Sequence, residues 1–164
     1  MRRALCLLLL GSGFVFGSEA YFSPEGGIQN QIIRRINQSR STIDIAMYSF
    51  TDGALAQALA DAHNRGVVIR IVRDVSQSHN RSDENSFLRI HGIEVRTISG
   101  KGRGILHDKF AIFDNNLLET GSFNWTVNGE KYNHENVIFF TDSELLKAFR
   151  QEFEKLWKET TSKD

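Results

Sequence analysis

The chain has 164 residues, enough for one domain with a substantial core and short for two. Its 20 basic and 20 acidic side chains leave a formal charge of zero, which excludes recruitment of nucleic acid by whole-molecule charge and leaves that task to a local patch. The single cysteine, Cys6, falls in an apolar leader, so beyond that leader disulfides, thiolate chemistry and cysteine zinc sites are excluded.

The leader "MRRALCLLLLGSGFVFGSEA" has two arginines, an apolar run and then small residues. That layout predicts a secretory signal over residues 1–20 and a single folded domain over 21–164. Gly11, Ser12 and Gly13 interrupt the run and argue against a membrane-spanning helix, although a retained N-terminal anchor is the alternative. Cleavage after Gly17 or after Ala20 fits the small-residue pattern. The expected location is outside the cytoplasm, in the periplasm or cell envelope, with membrane association under the anchor alternative. Removing Arg2, Arg3 and Glu19 leaves 18 basic against 19 acidic residues, so the domain stays close to neutral.

Next, "YFSPEGG" reads as a short strand and turn. "IQNQIIRRINQS" places Ile28, Ile32, Ile33 and Ile36 on one helical face. "TIDIAMYSF" predicts a central strand, and "DGALAQALADAHNRG" a helix stopped by Gly66. "VVIRIVRD" is a strand, the polar "SQSHNRSDENS" an exposed loop, and "SFLRIHG" a short helix ending at glycine. "IEVRTIS" is a strand and "GKGRG" a flexible loop. "HDKFAIFD" and "LLETGSFN" form an antiparallel pair across Asn115 and Asn116. "NVIFFT" adds a strand, and "SELLKAFRQEFEKLWKE" closes the chain as an amphipathic helix with Ser143 as its expected N-cap. Alternating strands and helices predict an α/β fold with a mixed sheet.

The stretch from His107 to Asp114 carries the chemistry. Its apolar centre predicts a buried strand, and by strand alternation His107 and Lys109 point to the same side at its entrance. A cation and an imidazole side by side are costly to bury alone, which predicts an anionic visitor. Asp114 has the opposite parity and is expected to be structural. Further on come Ser122 and Asn124 in "GSFN" and Glu135 in "NHEN". At average residue usage H-x-K-x4-D arises by chance in roughly one chain in a hundred, and with G-S-x-N at a fixed offset in around one in a million.

The complete pattern His107-x-Lys109-x4-Asp114-x6-Gly121-Ser122-x-Asn124 resembles the signature of the phospholipase D superfamily. The short length, single motif and leader look most like its small bacterial endonuclease branch. The resemblance implies an α/β/α sandwich that hydrolyses phosphodiesters without a metal through a covalent phosphohistidine. It implies that His107 is the nucleophile, that Lys109 and Asn124 hold the phosphoryl oxygens, that Ser122 supports the site and that Glu135 orients the histidine. Elementary chemistry agrees. A neutral imidazole is a competent nucleophile when its other nitrogen donates to a carboxylate, and a fixed ammonium and amide stabilise charge developing on the phosphoryl oxygens. The leaving oxygen also needs a proton. One motif per chain supplies one histidine, so a homodimer sharing its site is expected to supply the second.

The bland alternatives are concrete. His107 and Lys109 would be a solvated strand end, Ser122 and Asn124 turn residues, and Glu135 a surface acid. Lys101 and Arg103 in "GKGRG" would be a solvated loop rather than a clamp on substrate phosphates. No histidine spacing suggests zinc, and no cofactor or metal is expected. The favoured expectation is an exported nuclease acting on DNA, or on RNA, through phosphate contacts. A phospholipase D acting on lipid phosphodiesters is the second reading. A non-catalytic nucleic-acid-binding component of the envelope is the third.

Overall fold

We describe the protein from a computed structural model that places residues 17–79 and 83–160. Most of the predicted leader, with Cys6, lies outside the described residues. The strands are β1 (Glu19–Phe22), β2 (Thr42–Met47), β3 (Val68–Asp74), β4 (Glu94–Ile98), β5 (Lys109–Phe113), β6 (Leu117–Gly121) and β7 (Asn136–Phe140). They form a seven-stranded sheet in the order β1-β7-β6-β5-β2-β3-β4. β2, β3 and β4 are parallel, and every other neighbour pair is antiparallel, so the sheet is mixed as expected.

Helices cover both faces because the central strands are apolar on both. α1 (Ile28–Gln38), α2 (Gly53–Asn64) and α3 (Asn85–Ile90) pack on one side, burying Ile32, Leu59 and Leu88 against Ile45, Ile71 and Ala111. A short α4 (Val127–Lys131) follows β6, and α5 (Ser143–Glu159) packs on the other side, burying Leu146, Phe153 and Trp157 against Ala46, Val72 and Ile112. These residues alternate along β2, β3 and β5, which is the two-residue strand period sorting side chains into two cores. Arg70 fastens α5 to the sheet with two 2.8 Å bonds to Asp44 and one of 2.7 Å to Glu154. Its guanidinium also lies over the Phe153 and Trp157 rings.

Caps explain where the helices begin and end. Asp52 accepts from the backbone N–H groups of Ala54 and Leu55 at the start of α2. Gly66 follows α2 with φ 94°, a left-handed conformation that glycine adopts without a Cβ clash. At α5 the cap is Asp142, not Ser143: its carboxylate accepts from Glu144 and Leu145, and Ser143 is already the first helical residue. The negative charge at that end also complements the helix dipole.

One further expectation is corrected. "SQSHNRSDENS" is not simply an exposed loop. It begins in a 3-10 turn (Val75–His79), and Asp83 is drawn inward to an ion pair with the fully buried Arg73, which also bonds Asn85 at 2.8 Å. Burying that guanidinium requires an anionic partner, and the polar segment supplies it. A boundary at residue 20 falls inside β1, where Ala20 pairs with Ile138 and Glu19 with Phe139. Glu19 accepts 2.6 Å bonds from Tyr21 and Arg35, so a cut after Gly17 leaves this edge strand whole and one after Ala20 removes half of it. Among the described residues, no helix is long and apolar enough to cross a membrane.

Candidate active site

The site forms at one edge of the sheet, where β2 ends, β5 begins, β6 ends and β7 begins. Met47 of β2 pairs with Lys109 of β5, and Gly121 of β6 pairs with Val137 of β7. Gly121 is required there: a Cβ would lie 2.1 Å from the carbonyl oxygen of Asn136.

His107 lies just outside β5 rather than in it, so strand parity does not orient its ring. The link between His107 and Lys109 is instead a hydrogen bond: Lys109 Nζ donates to the His107 carbonyl oxygen at 2.8 Å. The His107 side chain is exposed, whereas Lys109 is only 9 % exposed. Burial pulls the Lys109 pKa below its ordinary value, and the negative charges of Glu135 and Asp108 oppose that shift. Among the described residues no carboxylate lies within ion-pairing distance of this ammonium. The lysine therefore retains capacity for an anion arriving beside His107.

β6 ends at Gly121, so Ser122 and Asn124 sit in the turn beyond it. Asn124 Oδ1 accepts from the backbone N–H of Ser49 at 3.3 Å, and its Nδ2 donates to none of the described residues. That leaves an amide donor available at the same edge as Lys109. Ser122 donates a short hydrogen bond to one Glu135 oxygen, and Asn133 Nδ2 donates to the other at 3.0 Å. Ser122 also accepts from the Asn136 backbone at 3.1 Å. Ser23 braces the acid by accepting from the Glu135 N–H at 3.2 Å and donating to the Asn133 carbonyl at 3.0 Å. Glu135 and Ser122 are thus brought together. Among the described residues no hydrogen bond joins Glu135 to the His107 ring within one chain.

Asp114 lies at the opposite end of β5. Its carboxylate accepts from the backbone N–H groups of Arg40, Ser41 and Thr42 and from the Ser41 hydroxyl. The backbone there is left-handed, with φ 50°, a conformation that aspartate tolerates better than most residues. These bonds hold the Asp114 pKa below the ordinary carboxylate value against the opposing effect of burial.

A groove of about 890 Å³ runs from His107 toward α5, lined by Lys101, Ile105, Leu106, Asp108 and Lys155 among others. The Gly100–Gly104 loop forms one side, closed by hydrogen bonds of Gly100 to Gly104 and Gly104 to Lys101. Lys101 lies on the groove wall and Arg103 is exposed outside it. Among the described residues no cluster of three histidine or carboxylate side chains is arranged to hold a metal. Sequence reasoning missed Tyr48, Ser23 and Asn133. Tyr48 and Ser23 belong to no spaced motif and reach the site only when distant strands come together, whereas Asn133 stands two residues before Glu135 in "NHEN".

The fold is an α/β/α sandwich that gathers a histidine just ahead of β5, a lysine on β5 and an amide after β6 at one edge of its sheet. Relatives make the assignment specific: the family described as "Cardiolipin synthase, PLD-like domain" matches residues 32–157, and the chain belongs to this phospholipase D-like family. Mitochondrial cardiolipin hydrolase of Chlamydomonas reinhardtii is 37 % identical over 122 residues, 74 % of this chain and 54 % of that protein. The mouse protein of the same name is 34 % identical over 130 residues, 79 % of this chain and 58 % of that protein. The chain therefore spans about half the length of these curated relatives. Nuc of Salmonella typhimurium, a phospholipase D family member, superposes with a TM-score of 0.81 at 31 % identity, covering 88 % of this chain and 96 % of that one. NucT from Helicobacter pylori superposes at 0.82 with 25 % identity, covering 88 % and 98 %.

Proposed function

We propose that this protein is a phosphodiesterase that cleaves nucleic acid through a phosphohistidine on His107, without a metal ion. The supporting observation is the buried Lys109 ammonium, without an ion-pair partner among the described residues, held 2.8 Å from the backbone of the exposed His107. An anionic phosphoryl group satisfies that lysine and meets the imidazole at once. Asn124 Nδ2 supplies the second donor. His107 attacks phosphorus, the P–O bond to the leaving group breaks, and an acid protonates the leaving oxygen. Water then attacks the phosphohistidine, loses its proton to the same acid–base group and releases His107. The acid is assigned to His107 of a second copy across a two-fold axis, which makes the working form a homodimer.

The nucleic-acid reading draws on the overlap with Nuc along almost its whole length and on the basic loop carrying Lys101 and Arg103. A second reading, hydrolysis of a lipid phosphodiester, is favoured by the identity to proteins named cardiolipin hydrolase. Export to the cell envelope remains part of the proposal on the leader sequence. Wild type and His107→Ala are to be assayed in excess chelator on DNA, RNA and cardiolipin vesicles. Cleavage of nucleic acid by wild type alone supports the first reading. Cleavage of lipid alone replaces it with the second. Activity that vanishes in chelator and returns with one divalent ion refutes the metal-free mechanism.

A further inference from the structure

Tyr48 follows the last residue of β2 and is half-buried at the active edge. Its ring centroid lies 4.8 Å from that of His107, with 56° between the planes. The Lys109 ammonium lies 5.4 Å from the same centroid, within reach of a cation–π attraction. No hydrogen bond from a described residue holds the His107 ring, so the aromatic contact with Tyr48 is what meets it. Tyr48 is itself fixed at both ends. Its backbone N–H donates to the Asp108 carbonyl at 3.0 Å, and its phenol oxygen accepts from Gln77 Nε2 at 3.0 Å. Gln77 belongs to the 3-10 turn held by Asp74, which accepts from Ser76 and also from the Leu106 N–H at 2.7 Å, one residue before His107. The turn, the end of β2 and the approach to β5 thus close around one phenol ring.

We propose that Tyr48 is a positioning residue for phosphoryl transfer, its aromatic face holding the His107 imidazole and the Lys109 ammonium in one arrangement. This rests on the assignment of His107 and Lys109 to the phosphodiesterase site. The ring restricts the imidazole before substrate arrives, which removes part of the orientational cost of attack. The same face offers the buried ammonium a partial replacement for lost hydration without the full negative charge that would compete with phosphate. A carboxylate in that place would neutralise the lysine. The phenol hydroxyl points to Gln77 and serves to orient the ring.

The test uses the full chain and bis(p-nitrophenyl) phosphate, a diester that is neither nucleic acid nor lipid. Tyr48→Leu is expected to lower kcat by about 10- to 100-fold, as for a misplaced reacting group. The Lys109 ammonium, titrated by NMR, is expected to lose its proton about half a unit lower than in wild type, because it loses its aromatic partner. The other described charged groups facing Lys109 are Glu135 of the turn before β7 and Asp108 ahead of β5, and both remain. Tyr48→Phe keeps the ring and is expected to retain the Lys109 titration and most of kcat. An unchanged rate and an unchanged Lys109 titration in Tyr48→Leu overturn the proposal, and so does a Tyr48→Phe variant as damaged as Tyr48→Leu. In parallel, NMR of the wild type is expected to show the His107 ring protons shifted by the Tyr48 ring current, relieved in Tyr48→Leu. Ring protons of wild-type His107 at free-imidazole positions overturn it even where Tyr48→Leu does not fold. A wild type that leaves the diester intact overturns the phosphodiesterase reading, and the NMR result then decides the Tyr48 arrangement separately.

Discussion

At the residue scale, His107 and Lys109 occupy adjoining places with opposite environments. The imidazole is exposed and the ammonium is nearly covered, so the edge presents an accessible ring beside a fixed charge. His107→Ala is expected to abolish turnover with an unchanged melting temperature, since the ring fills no core. Lys109→Ala is expected to lower turnover almost as far. Asp114 follows the reverse logic. It sits at the far end of β5 and commits its carboxylate to three backbone N–H groups and a hydroxyl. Asp114→Ala is expected to cost about 2–3 kcal/mol, because hydrogen bonds to a charged group are worth more than neutral ones and several donors are stranded together. Denaturant melts alongside a turnover assay separate the two effects: a loss of turnover at unchanged stability would move Asp114 into the site.

At the element scale, β6 carries an ionisable group in the core. Glu119 is fully buried, pairs in register with Ala111 and Phe139, and among the described residues has no hydrogen-bond partner for either oxygen within normal distance. The Trp125 indole N–H is similarly unpartnered and close enough only to moderate the effect of burial, which pushes the Glu119 pKa up to about 8. The folded protein therefore keeps a proton that the unfolded chain releases above its ordinary value of 4.5. Stability from this group is intact below the unfolded value and falls as pH rises from there through about 8, by roughly 1.4 kcal/mol per unit within that window. Glu119→Gln is expected to flatten this dependence and to melt higher than wild type near pH 8, as read by thermal melts across the window. A parallel slope in both proteins would show that the carboxyl finds a partner. The glycine-rich loop before β5 gives a second prediction. Lys101→Ala with Arg103→Ala is expected to weaken nucleic-acid binding and to reduce the log–log salt slope by about one unit for each phosphate left without its cation. An unchanged slope would make it an ordinary solvated loop.

At the scale of the whole molecule, the proposed mechanism needs two histidines and one chain carries one copy of the His107 motif. The proposed homodimer has a definite signature: a bell-shaped pH–rate profile from a coupled pair of imidazoles, one neutral and one protonated. Two successive inversions at phosphorus are expected to leave its configuration retained. With random exchange of equal amounts of wild type and His107→Ala, only about a quarter of dimers hold two imidazoles, so activity is expected near that fraction. Activity near one half after verified exchange, or a fully active monomer in sedimentation, would show that each chain works alone.

The strands and helices were legible because their signals are local. The isoleucine face of α1, the apolar runs of β2 and β5, and Gly66 after α2 each state a backbone preference within a few residues. The candidate site residues stand out for the same reason, since His107, Lys109, Ser122 and Asn124 lie at fixed spacings along one hairpin. The rest depends on the strand order. Placing β2 between β3 and β5 brings Tyr48 to His107 and hands the backbone of residues 40–42 to Asp114. Placing β7 beside β6 brings Glu135 to Ser122 rather than to the histidine of its own chain. Arg73 likewise draws Asp83 out of a stretch whose polarity reads as solvent-exposed. Local periodicity selects which face of an element is buried, but which side chain meets which across a sheet is set by long-range pairing, and a single sequence carries no local mark of that choice.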